Sequence, residues 1–295
     1  MKKISVLVFL TFLMLTGCKP TELPKTSGEQ LSKESYGYQP LDPLPIEVYI
    51  GDSIINPLTK RVEILNALND ETLRLAVGEI VGGGQVSYGP ATIGYEGQYY
   101  EIIIDYMKFQ TKPITISYMK QADVDPKNKG KVILNDLRKV VSKSGYSFNA
   151  KDYRVLNSGG DSNRQLRVLP LYLGIGLRLK ATIKVEDGKV DLGNLFGLGM
   201  AAQSKKITGS LIFQTLGISG DKISSLIPMP AEISPTSIQN AITALATIKS
   251  KMYDSSTIIV PRSIGFYNVI GGGTEVVNQL ISTCLEEKAV LNLVE

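Results

Sequence analysis

Among the residues that could do chemistry, histidine is missing altogether. Without it the chain has no Ser-His-Asp or Cys-His triad, no histidine zinc site and no access to the commonest general base. Asp123 and Asp125 open a loop with the Asp-x-Asp spacing of a calcium site. Lys127, however, stands where a third oxygen ligand is needed, Asn128 replaces the turn glycine, and Leu134 takes the bidentate glutamate position. Glycines 82, 83, 84, 89, 94 and 97 lack the helix that a phosphate cradle requires, because a strand-like stretch follows them. A turn-rich hairpin is expected there instead. These observations point to a protein that is not an enzyme, with no metal site and no cofactor.

The chemistry that remains is amphiphilic. In residues 173–185 every odd position is apolar: Leu173, Ile175, Leu177, Leu179, Ala181, Ile183 and Val185. The even positions are Gly174, Gly176, Arg178, Lys180, Thr182 and Lys184. Side chains alternate sides along a strand, so one face is hydrocarbon and the other wet and positive. Two placements fit. The strand can lie on the core of a soluble sheet, or it can span a membrane, for which about nine to eleven residues suffice. In the second case Leu177, Leu179 and Ile183 face lipid, while Arg178, Lys180 and Lys184 face a water-filled lumen.

The amino terminus bears on that choice. Lys2 and Lys3 precede an apolar run over residues 4–15, which ends in Leu15-Thr16-Gly17-Cys18. The run is too short for a spanning helix and has the layout of an export signal. Leu-Thr-Gly-Cys resembles the lipobox of bacterial lipoproteins. That likeness implies cleavage after residue 17 and acylation of Cys18, and Lys19 beside it implies the outer membrane. With lipid on Cys18, Cys284 has no partner for an intramolecular disulfide and is expected to be a buried free thiol.

Composition frames the rest. At 43% hydrophobic and 20% charged residues the chain is globular rather than disordered. A net charge of +4 without a lysine- and arginine-rich block gives no nucleic-acid footprint. Residues 18–45, rich in Pro, Ser, Lys and Glu, read as a lipidated flexible tether. Residues 46–295 form the folded part. Strands are expected at 46–50, 99–109, 114–119, 166–185, 207–216, 258–260, 264–270 and 289–294. Helical spacing marks 62–77, with a break at Asn69-Asp70, and also 132–141 and 276–287. Ser234-Pro235 opens a further helix over 235–252, although Thr243, Thr247 and the many small residues there also suit a strand.

The order of these elements resembles the curli-secretion channel lipoproteins over roughly residues 132–294. The likeness is carried by the strand at 171–185, Phe196-Gly197-Leu198-Gly199, the strand from Ile207, the turn at 217–221 before Lys222-Ile223-Ser224-Ser225, Gly265-Phe266-Tyr267, and the helix containing Cys284. It implies a periplasmic α/β domain assembled into a homo-oligomeric ring, each protomer giving strands to one outer-membrane β-barrel that exports a protein substrate. Oligomerisation is what a few amphipathic strands would need, since an open edge in lipid leaves backbone groups unsatisfied. The helix at 235–252 stands where that family places part of a second spanning hairpin. The chain is therefore expected to be α+β, with membrane hairpins within about 171–262. The alternative is a lipid-anchored periplasmic scaffold that stays outside the bilayer and binds another envelope protein.

Overall fold

The computed structural model describes residues 37–81, 85–89, 98–122, 132–140, 164–185, 207–285 and 288–293. Its axis is a pair of long strands, β5 (Tyr99–Ala122) and β7 (Arg164–Val185). They run antiparallel without a break from Tyr99 opposite Lys184 to Met119 opposite Arg164. Each takes two partners in succession along its outer edge. β3 (Asp70–Val81) and β6 (Val132–Lys139) follow one another along β5. β8 (Ile207–Leu216) and β12 (Arg262–Asn268) do the same along β7. Pro113 and Pro170 face each other in this central pair. Proline has no N–H to give a ladder. Pro113 lies between the β3 ladder, which stops at Asp70 opposite Phe109, and the β6 ladder, which stops at Lys139 opposite Ile116. Pro170 lies just past the β12 ladder, which stops at Phe266 opposite Leu171.

β1 (Gly37–Ile50) extends the sheet, with its first part antiparallel to β12 and its last part parallel to β13 (Ala289–Leu293). β4 (Gln85–Gly89) pairs with β3 at the other side. β2 (Ser53–Ile54) and β10 (Ala231–Glu232) are short additions to β1 and β8, and β9 (Ile218–Ser219) pairs with β11 (Ile258–Ile259) in a separate ribbon. The helices are α1 (Arg61–Ala67), α2 (Asp221–Ser224), α3 (Pro235–Lys251) and α4 (Thr274–Leu280), the last continued by a π turn at Ile281–Leu285. The class is thus α+β and mainly antiparallel sheet. No described helix is long and apolar enough to cross a membrane.

The sheet curls until β1 approaches β4, where the Gln39 side chain donates to the Tyr88 carbonyl. No ladder joins these two strands among the described residues, so the curl is not a closed barrel. Alternation gives the sheet two buried faces. The outer face carries the larger core and packs under residues of α1, α3 and α4, including Ile64, Ile238, Ala241, Ile248, Val276 and Leu280. The inner face holds Tyr38, Ile103, Met107, Phe109, Tyr172 and Ile264.

Several expectations need correction. The tether does not extend to residue 45, because β1 begins at Gly37 and buries Tyr38, Gln39 and Leu41. Its prolines are accommodated by a register shift between Pro40 and Leu44. Residues 132–139 form strand β6, since pairing with β5 overrides a helical spacing of apolar residues. The segments at 99–109 and 114–119 are one strand. The helical stretch at 62–77 is α1 followed by β3. Within 171–262, β7 and β8 make a strand hairpin while 235–251 is helical, its start fixed by a reciprocal hydrogen-bonded cap between Ser234 and Ser237 with Pro235 at the first turn. Asp123, Asp125 and the signal segment lie outside the described residues.

Candidate functional site

Arg178 marks the centre of the inner face. It stands in one row with Arg74 on β3 and Asp105 on β5. Asp105 accepts from Arg178 Nε and Nη2, both at 2.7 Å, and from the Tyr38 hydroxyl at 2.5 Å. Arg178 also donates to the carbonyls of Leu41 and Ile264, so one side chain on β7 fastens β5, β1 and β12. Asp105 is 0% exposed and Arg178 2%. Burial works against the guanidinium charge, but the hydrogen bonds and charge of Asp105 outweigh it and raise its pKa. Burial, then the Asp105 charge, pushes the Tyr38 hydroxyl well above its ordinary value of 10.0.

A second polar group lies further along the curl. Glu101 on β5 accepts from the Tyr88 hydroxyl and forms an ion pair with Lys180. Burial and Glu101 together push the Tyr88 pKa up.

These contacts account for the residues expected at a membrane pore. Arg178, expected to face a lumen, is buried in an ion pair with Asp105. Lys180 is partly exposed but committed to Glu101, and Lys184 is half-buried at the end of the same face. Leu177, Leu179 and Ile183, expected to face lipid, pack here under the chain's own elements. They are 0%, 1% and 1% exposed within the chain's own outer-face core. The alternation along β7 is therefore that of a strand with both faces covered, and each buried side chain stabilises the fold by roughly 1.5–3 kcal/mol. The partners of the cations, Asp105 and Glu101, sit far away in sequence and carry no local mark of their role. Tyr38, Tyr88 and Arg74 share that obscurity.

α3 lies over the β7–β8 hairpin, and the fit leaves a cavity of about 310 Å³. Leu179, Leu211 and Phe213 line it together with Met229, Asn240 and Ala241. Cys284 is buried in the π turn. Cys18 lies outside the described residues. No group of three or more histidine, cysteine, aspartate or glutamate residues among the described ones could hold a metal ion.

The arrangement defines a curled-sheet α+β domain with a polar spine inside the curl. The chain matches no protein-family model, no curated protein and no solved structure. The likeness to the curli-secretion channel lipoproteins thus rests on the order of elements alone.

Proposed function

We propose that this protein is an outer-membrane lipoprotein whose folded domain works outside the bilayer as a binding scaffold for another envelope component. Lipid on Cys18 is its anchor, and residues 19–36 link the anchor to β1. One observation carries the preference for a scaffold: the hydrocarbon face of β7, the one stretch suited to lipid, is spent on the chain's own core. The inner cations are likewise spent on Asp105 and Glu101. No residue is assigned a catalytic role.

The export-channel alternative retains one supporting feature. β7 and β8 pair from Gly176 opposite Leu216 to Val185 opposite Ile207, a length suited to spanning a bilayer. Leu177, Leu179, Ala181, Leu211 and Phe213 share one face of that hairpin. Lipid exposure of this face would require α3 to leave it.

Two measurements test the proposal together. Metabolic labelling with a fatty acid is expected to mark the wild-type protein and not Cys18→Ser; label on the variant refutes the anchor. Protein extracted in mild detergent is expected to run as one species before and after heating, with the mass of one chain. A heat-modifiable, detergent-dependent ring would instead establish the channel.

A further inference from the structure

The inner face of the curl has more positive than negative groups. Arg74, Arg178, Lys180 and Lys184 project from the same side of β3 and β7, against Asp105 and Glu101 from β5 and the exposed Asp70 at the start of β3, opposite Phe109. Arg178 takes Asp105 and Lys180 takes Glu101. Arg74 sits directly across from Asp105 in the ladder, yet Asp105 is engaged by Arg178 and Tyr38. Its guanidinium lies instead over the Tyr172 ring, 5.6 Å from the centroid. The Arg74 Nε is buried and meets no hydrogen-bond acceptor among the described residues.

A buried donor without an acceptor costs free energy, more so when it is charged. Arg74 as a whole is only half-buried, so the site opens toward solvent. Phe109 packs edge-on against Tyr172, with ring centroids 5.1 Å apart. Tyr38 tilts against the same ring at 5.9 Å. Tyr267, 41% exposed, stands opposite Tyr38 in the β1–β12 ladder, on the same face. The result is a cation placed over an aromatic wall, with a partly exposed phenol beside it. A planar guanidinium is suited to two parallel hydrogen bonds to an oxyanion.

We propose that Arg74, backed by Tyr172 and flanked by Tyr267, is a binding site for an oxyanion-bearing ligand, a carboxylate or a phosphate ester. The site is independent of acylation at Cys18. It deepens the scaffold proposal by giving the envelope partner a chemical character: the recognised group is acidic. Electrostatic attraction here is screened by salt over about 10 Å at 0.1 M.

The test uses the full-length protein in detergent with arginine side chains labelled for NMR. Potassium phosphate and sodium acetate are titrated separately, each against chloride at matched ionic strength. The Arg74 Nε–H resonance and the Tyr172 and Tyr267 ring resonances should shift saturably with at least one of the two anions and not with chloride. Saturation by phosphate alone assigns a phosphate ester, by acetate alone a carboxylate, and by both a general oxyanion site. Arg74→Lys keeps the charge but loses the fork, and should weaken binding by about tenfold or more, read from the tyrosine rings. Arg74→Gln should abolish it. If Arg74→Gln does not fold, Arg74→Lys alone decides. Absence of a saturable shift with either salt overturns the proposal, as does equal binding by Arg74→Lys and wild type. Neither result bears on the fatty-acid labelling or on the mass of the detergent-extracted species, so the scaffold proposal stands or falls separately.

Discussion

Replacing Arg178 by Met is the most informative perturbation of the curl. The substitution keeps length and bulk but leaves Asp105 as a buried carboxylate whose remaining side-chain donor is the Tyr38 hydroxyl. The carbonyls of Leu41 and Ile264 lose their side-chain donor as well. Removing one partner of a buried ion pair costs about 3–5 kcal/mol, mainly because the other charge stays buried and unpaired. A domain of ordinary stability holds only about 5–15 kcal/mol, so Arg178→Met should lose a large fraction of it. The double variant Arg178→Met with Asp105→Leu removes both charges. It should recover at least half of the loss, because apolar replacement of a whole buried pair is often neutral or better. Urea unfolding followed by circular dichroism and by tyrosine fluorescence supplies the free energies; the chain has no tryptophan. Coincident transitions are required before they are interpreted. A loss below about 1 kcal/mol in the single variant would place the pair in a far wetter setting than the structure does. A double variant no more stable than Arg178→Met would refute the reasoning about the unpaired carboxylate.

Two further outcomes follow from the same geometry. Tyr38 and Tyr88 hold their protons above the ordinary value of 10.0, whereas in the unfolded chain they release them near it. The folded state therefore binds more protons above pH 10, so stability is complete below that pH and falls as pH rises further; Tyr38→Phe should flatten part of this fall in urea titrations. Ala at Gly209 would place its Cβ 2.1 Å from the Thr182 carbonyl oxygen, a clash with backbone that should cost about 1–3 kcal/mol or more. Ala at Gly51, where φ is +55° and no atom lies nearby, should cost about 1–2 kcal/mol from the left-handed backbone alone; equal, negligible losses at both sites by the same urea assay would count against the close approach of β7 and β8.

The elements differ in how plainly the sequence announces them. β7 is legible because its alternation is strict, and the start of α3 because Ser234 and Pro235 are both suited to their positions at a helix start. Which way the faces of β7 point is not legible, since Asp105 and Glu101 are supplied by another strand. Hydrocarbon on one side and cations on the other suit lipid and lumen equally well until those partners are placed. β6 misleads for a different reason: Val132, Ile133 and Leu137 fit a helical spacing, but eight residues is little to set against a ladder on β5. β1 hides behind Pro40, Pro43 and Pro45, residues that usually argue against a strand and here sit around a register shift. Arg74 has no local signal at all; only the occupied state of Asp105 makes it noticeable.

The pairing of β1 sets an order of events for a chain that emerges amino terminus first. Gly37–Pro45 wait for β12 and Ile46–Ile50 wait for β13, both at the far end of the chain. The side chain of Tyr38 likewise has no carboxylate until Asp105 arrives, and Asp105 no counter-ion until Arg178 does. Closing such long loops is entropically costly before any contact rewards it, which makes folding slow. A nascent chain would hold most of its first strand unpaired, with only the short β2 at hand. Truncation within Ala289–Leu293 would do the same permanently, turning the parallel edge of β1 into an open one. β13, made long after β1, therefore decides when β1 can settle.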